Sequence, residues 1–576
     1  MAKSGRDGKI EKPGLAGRMM DRGRAYFEKG QLDRALASFE RALTIFSESL
    51  GERVPDTAQA MSELGQVLQA AGDLESAYAH QQMALSILTE QRGAEHTDTA
   101  NCMIRMGAVL QSLGDIAAAR SLYERALEIF ELDPGANRLY AARALNSLGR
   151  MFHDMGDLLG AQPYYERALA IHKEALGEQH LTTAESFNNV GTVLDSLGHL
   201  PEARDYLQRA LDIVEQNLGR NHPQRAQILN NLGRVFYSVG EFGKAKRHYE
   251  QALRIFRKTF GPNHFNTAQT MNNLGSLCEA MGETDRALSY YENSVAIFDA
   301  SLCGEHPAIA TPLSNLGSLF HRRGDFARAF SSHERALSIR RKTLGADHPV
   351  TAHSLTNLGA LMQSKGQLAD ALEYYEQAFA VIRRSRGGQH PETAQALNNI
   401  GVILQMMGRW PEAISHYEQA LSIVESVYGD HPNTARVLDN IGAMLSLTER
   451  LADAQYYSER AVAMYEGSLG PDHPNTAAAL NNLGAILHRQ GADLAARRCY
   501  ERALIILEND YGYRHPSTTS VMFNLAELLL ETGEDMAAQD HLHRACSSLQ
   551  AIFGVGHLDT QRCIELLETV QTKAVG

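Results

Sequence analysis

A glycine that returns at a fixed interval constrains this chain more than any other feature. Gly65, Gly107, Gly149, Gly191, Gly233, Gly275, Gly317, Gly359 and Gly401 stand 42 residues apart. The step to Gly442 is 41, because the linker there reads YGDHP where a neighbour reads LGPDHP. Gly484 and Ala526 restore the interval, and Gly23 marks a first, degenerate unit. A period of this length is the mark of a repeat architecture, in which each unit buries its apolar face only against its neighbours. Thirteen units fill the chain and leave no space between them for another domain.

Each unit reads as two helices. In TAAALNNLGAILHRQG, Ala479, Leu480, Leu483, Ile486 and Leu487 recur at helical spacing, and Gly491 ends the run. In DLAARRCYERALIILENDYG, small Ala496 and Ala503 alternate with Tyr500, Leu504 and Leu507. Small residues let helices approach and large ones fill the grooves between them. A glycine closes this second helix, and His-Pro opens the next unit. Helices of about 15–20 residues are marginal alone in water, so stacking must stabilise them. Residues 1–14 read as a basic, disordered tail, 15–556 as one continuous array, and 557–576 as a capping helix carrying Cys563, Leu566, Leu567 and Val570.

The pattern LG-x-x-HP-x-TA-x-x-LNNLG…G-x-x-x-EA-x-x-YE-x-AL-x-I, plain at 387–428 and 470–511, resembles the tetratricopeptide repeat. The 42-residue form is similar to that of kinesin light chains. That family sets a heptad coiled coil ahead of its repeats, whereas here the repeats start by about residue 15, so motor transport is not implied. The resemblance implies an all-α, right-handed superhelical solenoid of about thirteen hairpins, whose first helices line a concave groove for ligands. It implies a non-enzymatic scaffold or adaptor that binds a protein or extended peptide, with no cofactor. A ligand-gated receptor acting on a separate effector is the alternative reading, and self-association the third.

Groove positions follow from the ruler glycine. Two residues before it stand Asn189, Asn231, Asn273, Asn315, Asn357, Asn399, Asn440, Asn482 and Asn524. Asparagine is an indifferent helix former, but its carboxamide both donates and accepts. The series resembles the asparagine ladder in the tetratricopeptide arm of O-linked N-acetylglucosaminyltransferase, which implies contact with a peptide backbone; the alternative is a bond to a neighbouring helix or to the carbonyl four residues back. Three residues before the glycine, Asn146, Asn188, Asn230, Asn272, Asn398 and Asn481 suit bonds between repeats. Arg150 and Arg234 are candidates for holding a carboxylate or phosphate, against the reading of a solvated helix face with balanced charge. The outer units replace the ladder with Glu63 and Arg105, which confines the expected footprint to about 180–485.

Other readings are weaker. A net charge of −13 argues against nucleic acid or anionic membrane as the partner. The N-terminus lacks the apolar stretch of a signal peptide, and no run approaches the ~18 apolar residues that span a bilayer. Six scattered cysteines without a CxxC pair suit reduced thiols, and together these features predict a cytoplasmic protein. Eleven of the 23 histidines share one linker register, too far apart to share a metal, and are expected to close the preceding helix. His541, His543 and Cys546 point to different sides of a helix, and Trp410 is expected to pack in a turn. No Walker loop, HExxH, GxSxG or Rossmann fingerprint is present, so no catalytic residue or metal ligand is assigned.

Overall fold

The computed structural model describes residues 7–28, 31–133, 135–301, 307–513, 515–553 and 558–575. Among these there are 27 α-helices, a 3-10 turn at Pro307–Ile309, and no strand. Consecutive helices pack as antiparallel hairpins, so the helical-hairpin array expected from the sequence is present. The chain divides into two compact units, Met1–Asn357 and Leu358–Gly576. The first helix, Asp7–Glu28, starts inside the segment read as a tail, while residues 1–6 lie outside the described residues. Helix Leu558–Val575 follows the last hairpin, and its buried Cys563 and Val570 join the terminal core.

The tenth hairpin shows how one unit is built. Helix Pro391–Met406 buries Ala394, Leu397, Ile400, Ile403 and Leu404, and helix Trp410–Tyr428 buries Ala413, Tyr417, Ala420, Leu421 and Val424. The ruler glycine is where these helices touch. A Cβ on Gly401 would stand 2.6 Å from the Tyr417 ring, and the same pairing joins Gly107 to Tyr123, Gly275 to Tyr291 and Gly484 to Tyr500. The tyrosine hydroxyl then donates back to the first helix, as Tyr417 does to Gln405 at 3.0 Å and Tyr375 to Gln363 at 3.1 Å. In the last unit the ruler position is Ala526 and the residue sixteen positions on is Leu542, both buried in one core.

Hairpin follows hairpin through a linker with two fixed bonds. The threonine of the TA step donates to the carbonyl of the glycine that closes the preceding helix, as Thr393 does to Gly387 at 2.8 Å and Thr476 to Gly470 at 3.0 Å. The linker histidines correct the sequence reading. Their Nδ1 atoms accept the backbone N–H two residues on: Glu392 to His390 at 3.2 Å, Asn475 to His473 at 3.1 Å, Ser517 to His515 at 3.2 Å. They therefore cap the start of the following helix. An unprotonated ring nitrogen satisfies an N–H that the helix leaves unpaired, as Ser or Asp does elsewhere. His306 and His557 lie outside the described residues.

Two further readings are corrected. Cys546 and Cys563 form a disulfide across 5.7 Å of Cα separation, tying the terminal helix to the last hairpin, while Cys102, Cys278 and Cys499 are free. Sequence spacing hid this pair because its members lie on different helices that only packing brings together. Trp410 opens helix Trp410–Tyr428 and is 39% exposed, so it is packed only in part.

The turn of the eleventh hairpin departs from the pattern. Glu449 adopts φ 63° at the register where neighbouring turns use Gly408 (φ 73°) and Gly491 (φ 75°). A side chain in this left-handed region costs about 1–2 kcal/mol. Glu449 gains only an exposed bond from Arg489 at 2.8 Å, of a kind that offsets little of that cost. Glu449→Gly is expected to stabilise the protein by about 1 kcal/mol, read from the urea midpoint.

Candidate functional site

Each first helix from Leu181 onward carries one asparagine of the register, and every member from Asn189 to Asn524 is half-buried. Five of them bond the preceding hairpin. Asn231 donates to Asn188 at 2.8 Å, Asn315 to Asn272 at 3.0 Å, Asn440 to Asn398 at 2.8 Å, Asn482 to Asp439 at 2.9 Å and Asn524 to Asn481 at 2.9 Å. The two asparagine registers are thus two halves of one device. The amide nitrogen of the later residue meets the oxygen of the earlier residue one hairpin back. Asn189, Asn273, Asn357 and Asn399 make no such bond, and Asn230 donates instead to Thr270 at 2.8 Å.

The oxygens matter most. No side-chain oxygen of the register two before glycine accepts a bond within the described chain, yet none is among its buried, unpartnered atoms. These oxygens are therefore solvent-accessible open acceptors, one in each of the nine hairpins that carry the register. Around Asn188, Asn189, Asn230, Asn231 and Asn273 the face deepens into a cleft of about 550 Å³, walled by Gln224, Gln227, Gln269, Ile228 and Phe265. Glu185 and Arg234 also line it, so the wall mixes many neutral hydrogen-bonding groups with one acidic and one basic side chain.

Charge enters at single points. Arg234 donates to Asp195 at 2.5 Å, so this candidate anion ligand already holds a carboxylate. Arg150 lies beside the Tyr123 hydroxyl, whose pKa burial pushes up to about 12 against the pull of that guanidinium. Gln224 donates to Glu185 at 2.9 Å, and burial raises the Glu185 carboxyl above its ordinary range. Asp439 stands where neighbours carry asparagine; burial pushes its pKa up to about 6 although Asn482 donates to it. Nearer the N-terminus, Glu63 accepts from Arg24 at 3.2 Å and Arg105 at 3.0 Å. Sequence reading saw Glu63 and Arg105 only as gaps in the ladder, since nothing in their spacing of 42 announces an ion pair. No group of three or more potential metal ligands occurs among the described residues, and none of the described helices is long and apolar enough to cross a membrane.

Successive antiparallel helical hairpins within each unit define a class of helical repeat arrays. The chain belongs to the tetratricopeptide repeat family, whose model matches residues 16–90, 56–132, 140–216, 197–258, 224–300, 308–384, 361–426, 392–467 and 449–504. Repeats of this family generally mediate protein–protein interaction. Among solved structures the chain is similar to BtubC (BKLC) from P. vanneervenii, at 26% identity over 39% of this chain and 89% of that one, with a TM-score of 0.32. It is also similar to a Podosopora anserina protein of nearly identical TPR-like repeats, named for a kinesin light chain, at 24% identity over 36% and 97%, with a TM-score of 0.30. No curated protein matches the chain.

Proposed function

We propose that this protein is a non-enzymatic adaptor that takes an extended segment of a partner protein along its first-helix face. The open asparagine oxygens carry this reading. Anchoring Nδ2 to the preceding hairpin aims Oδ1 outward before any ligand arrives, which lowers the ordering cost on the protein side. Each oxygen accepts a backbone N–H of the ligand, for about 0.5–1.5 kcal/mol net. Ordering a flexible peptide costs about 2–5 kcal/mol, so several rungs must engage together and the ladder alone is sequence-tolerant.

The four unanchored rungs separate binding from stability. Asn273→Ala, Asn357→Ala and Asn399→Ala together are expected to abolish capture of displayed random dodecapeptides while leaving the urea midpoint unchanged. Asn231→Ala breaks the bonds to Asn188 and Thr192, and is expected to cost about 1 kcal/mol of stability as well. Full capture by the folded triple variant would remove the ladder from the binding mechanism.

A further inference from the structure

The cleft of the first unit is built from three successive first helices, and the charges on its wall do not balance. Leu181–Ser196 brings Glu185 and Asn189, Pro223–Ser238 brings Gln227 and Asn231, and Phe265–Ala280 brings Gln269 and Asn273. At the register six before the ruler glycine the cleft thus reads Glu185, Gln227, Gln269, one acid and two neutral amides, all exposed. Arg234 is the one cation on the wall, and its charge is already met. It donates to the buried carboxylate of Asp195, which does not itself line the cleft.

Glu185 has no such counter-charge. The Gln224 amide donates to it at 2.9 Å, and no cationic side chain forms an ion pair with it among the described residues. The protein packed around this carboxyl raises its pKa, and only His180 pulls the other way. The remaining polar groups favour a donor as occupant. Asn231 commits its Nδ2 to Asn188 and Thr192, which leaves its oxygen open. Asn189 and Asn273 are unanchored, so their amides can turn a carbonyl toward an incoming N–H. Ile228 and Phe265 add apolar surface, and a long side chain with an aliphatic stem and a charged tip suits such a mixed wall. The net charge of −13 adds a background field that also favours a cation.

We propose that this cleft selects a basic side chain, arginine or lysine, on the extended segment that the adaptor takes, with Glu185 as its ionic anchor and the Asn189 and Asn231 oxygens as further acceptors. The assignment rests on the groove reading for its natural ligand, whereas the cation chemistry of the cleft is measurable without it. A ladder that accepts only backbone N–H groups tolerates many sequences. One charged contact at a fixed rung sets which residue of the ligand stands there.

The test is calorimetric titration of the full chain with Nα-acetyl-arginine methylamide and with its citrulline analogue, which keeps the shape and lacks the charge. The arginine probe should bind saturably and about tenfold more tightly than the citrulline probe, as one charge-assisted contact requires. Glu185→Gln keeps an oxygen for the Gln224 amide and should bind both probes alike, with its urea midpoint unchanged. No saturable binding of the arginine probe, equal binding of both probes by the natural protein, or an arginine preference that survives in Glu185→Gln overturns the assignment. Capture of displayed dodecapeptides by the natural protein judges the groove separately. Capture without any arginine preference removes the cation site alone, and an arginine preference without capture removes the groove reading alone.

Discussion

Gly401→Ala is expected to destabilise the second unit by about 1–3 kcal/mol, the usual cost of forcing a methyl group into filled space. The added carbon would lie 2.6 Å from the Tyr417 ring, and Tyr417 is fully buried and cannot swing away. The helices must therefore separate, and their shared core loosens with them. Helix propensity alone predicts the opposite sign, because alanine is favoured over glycine inside a helix by about 1 kcal/mol. Gly467, in the last turn of Leu451–Leu469, supplies the control: a Cβ there meets nothing within 4 Å. Gly467→Ala should raise the urea midpoint while Gly401→Ala lowers it. Tyr417→Leu in the Gly401→Ala background should recover part of the loss, since the last hairpin buries Ala526 and Leu542, the same two registers, in one core. If both alanine variants shift the midpoint upward, close helix contact is not what the glycine serves.

That pair of glycines also shows what a sequence displays and what it conceals. The period of 42 was legible because every unit solves the same packing problem with the same residue. The reason for the residue was not, since the tyrosine it accommodates lies sixteen positions on, in the other helix. The histidines were legible as a register, but whether a linker side chain serves the helix behind it or ahead of it depends on the backbone path. The asparagines were read correctly as two registers and incompletely as two roles. Their bonds run 42 or 43 residues along the chain, so they become visible only when hairpins stack.

Acidification is expected to weaken the eighth hairpin before pH 5, through His333. Seven hairpins place tyrosine at this register, beneath the ruler glycine; here His333 occupies it, 1% exposed, with its Nδ1 unpartnered. Burial, together with the facing charges of His321 and Arg340, lowers its pKa from 6.5 to about 4. Arg340 is itself buried and bonded only to Ser354 at 2.5 Å, so it offers no relief. The unfolded chain therefore binds this proton more readily than the folded one. The stability it contributes is complete above pH 6.5 and is lost as pH falls toward 4, with about 2 kcal/mol gone by pH 5. His172, buried against Ser186 at 2.7 Å, shifts the same way, and carboxylates begin to titrate near the bottom of the window. Comparison with His333→Tyr cancels both contributions. Tyrosine restores the neighbours' residue beneath Gly317 and places its hydroxyl toward His321, at the register where Gln363 and Gln405 receive Tyr375 and Tyr417. Hydrogen exchange in helices Ala310–Arg322 and Phe326–Leu344 should accelerate between pH 6.5 and 5 in the natural protein, beyond the intrinsic pH dependence, and stay flat in the variant. Equal acceleration in both proteins would place the acid-sensitive group elsewhere.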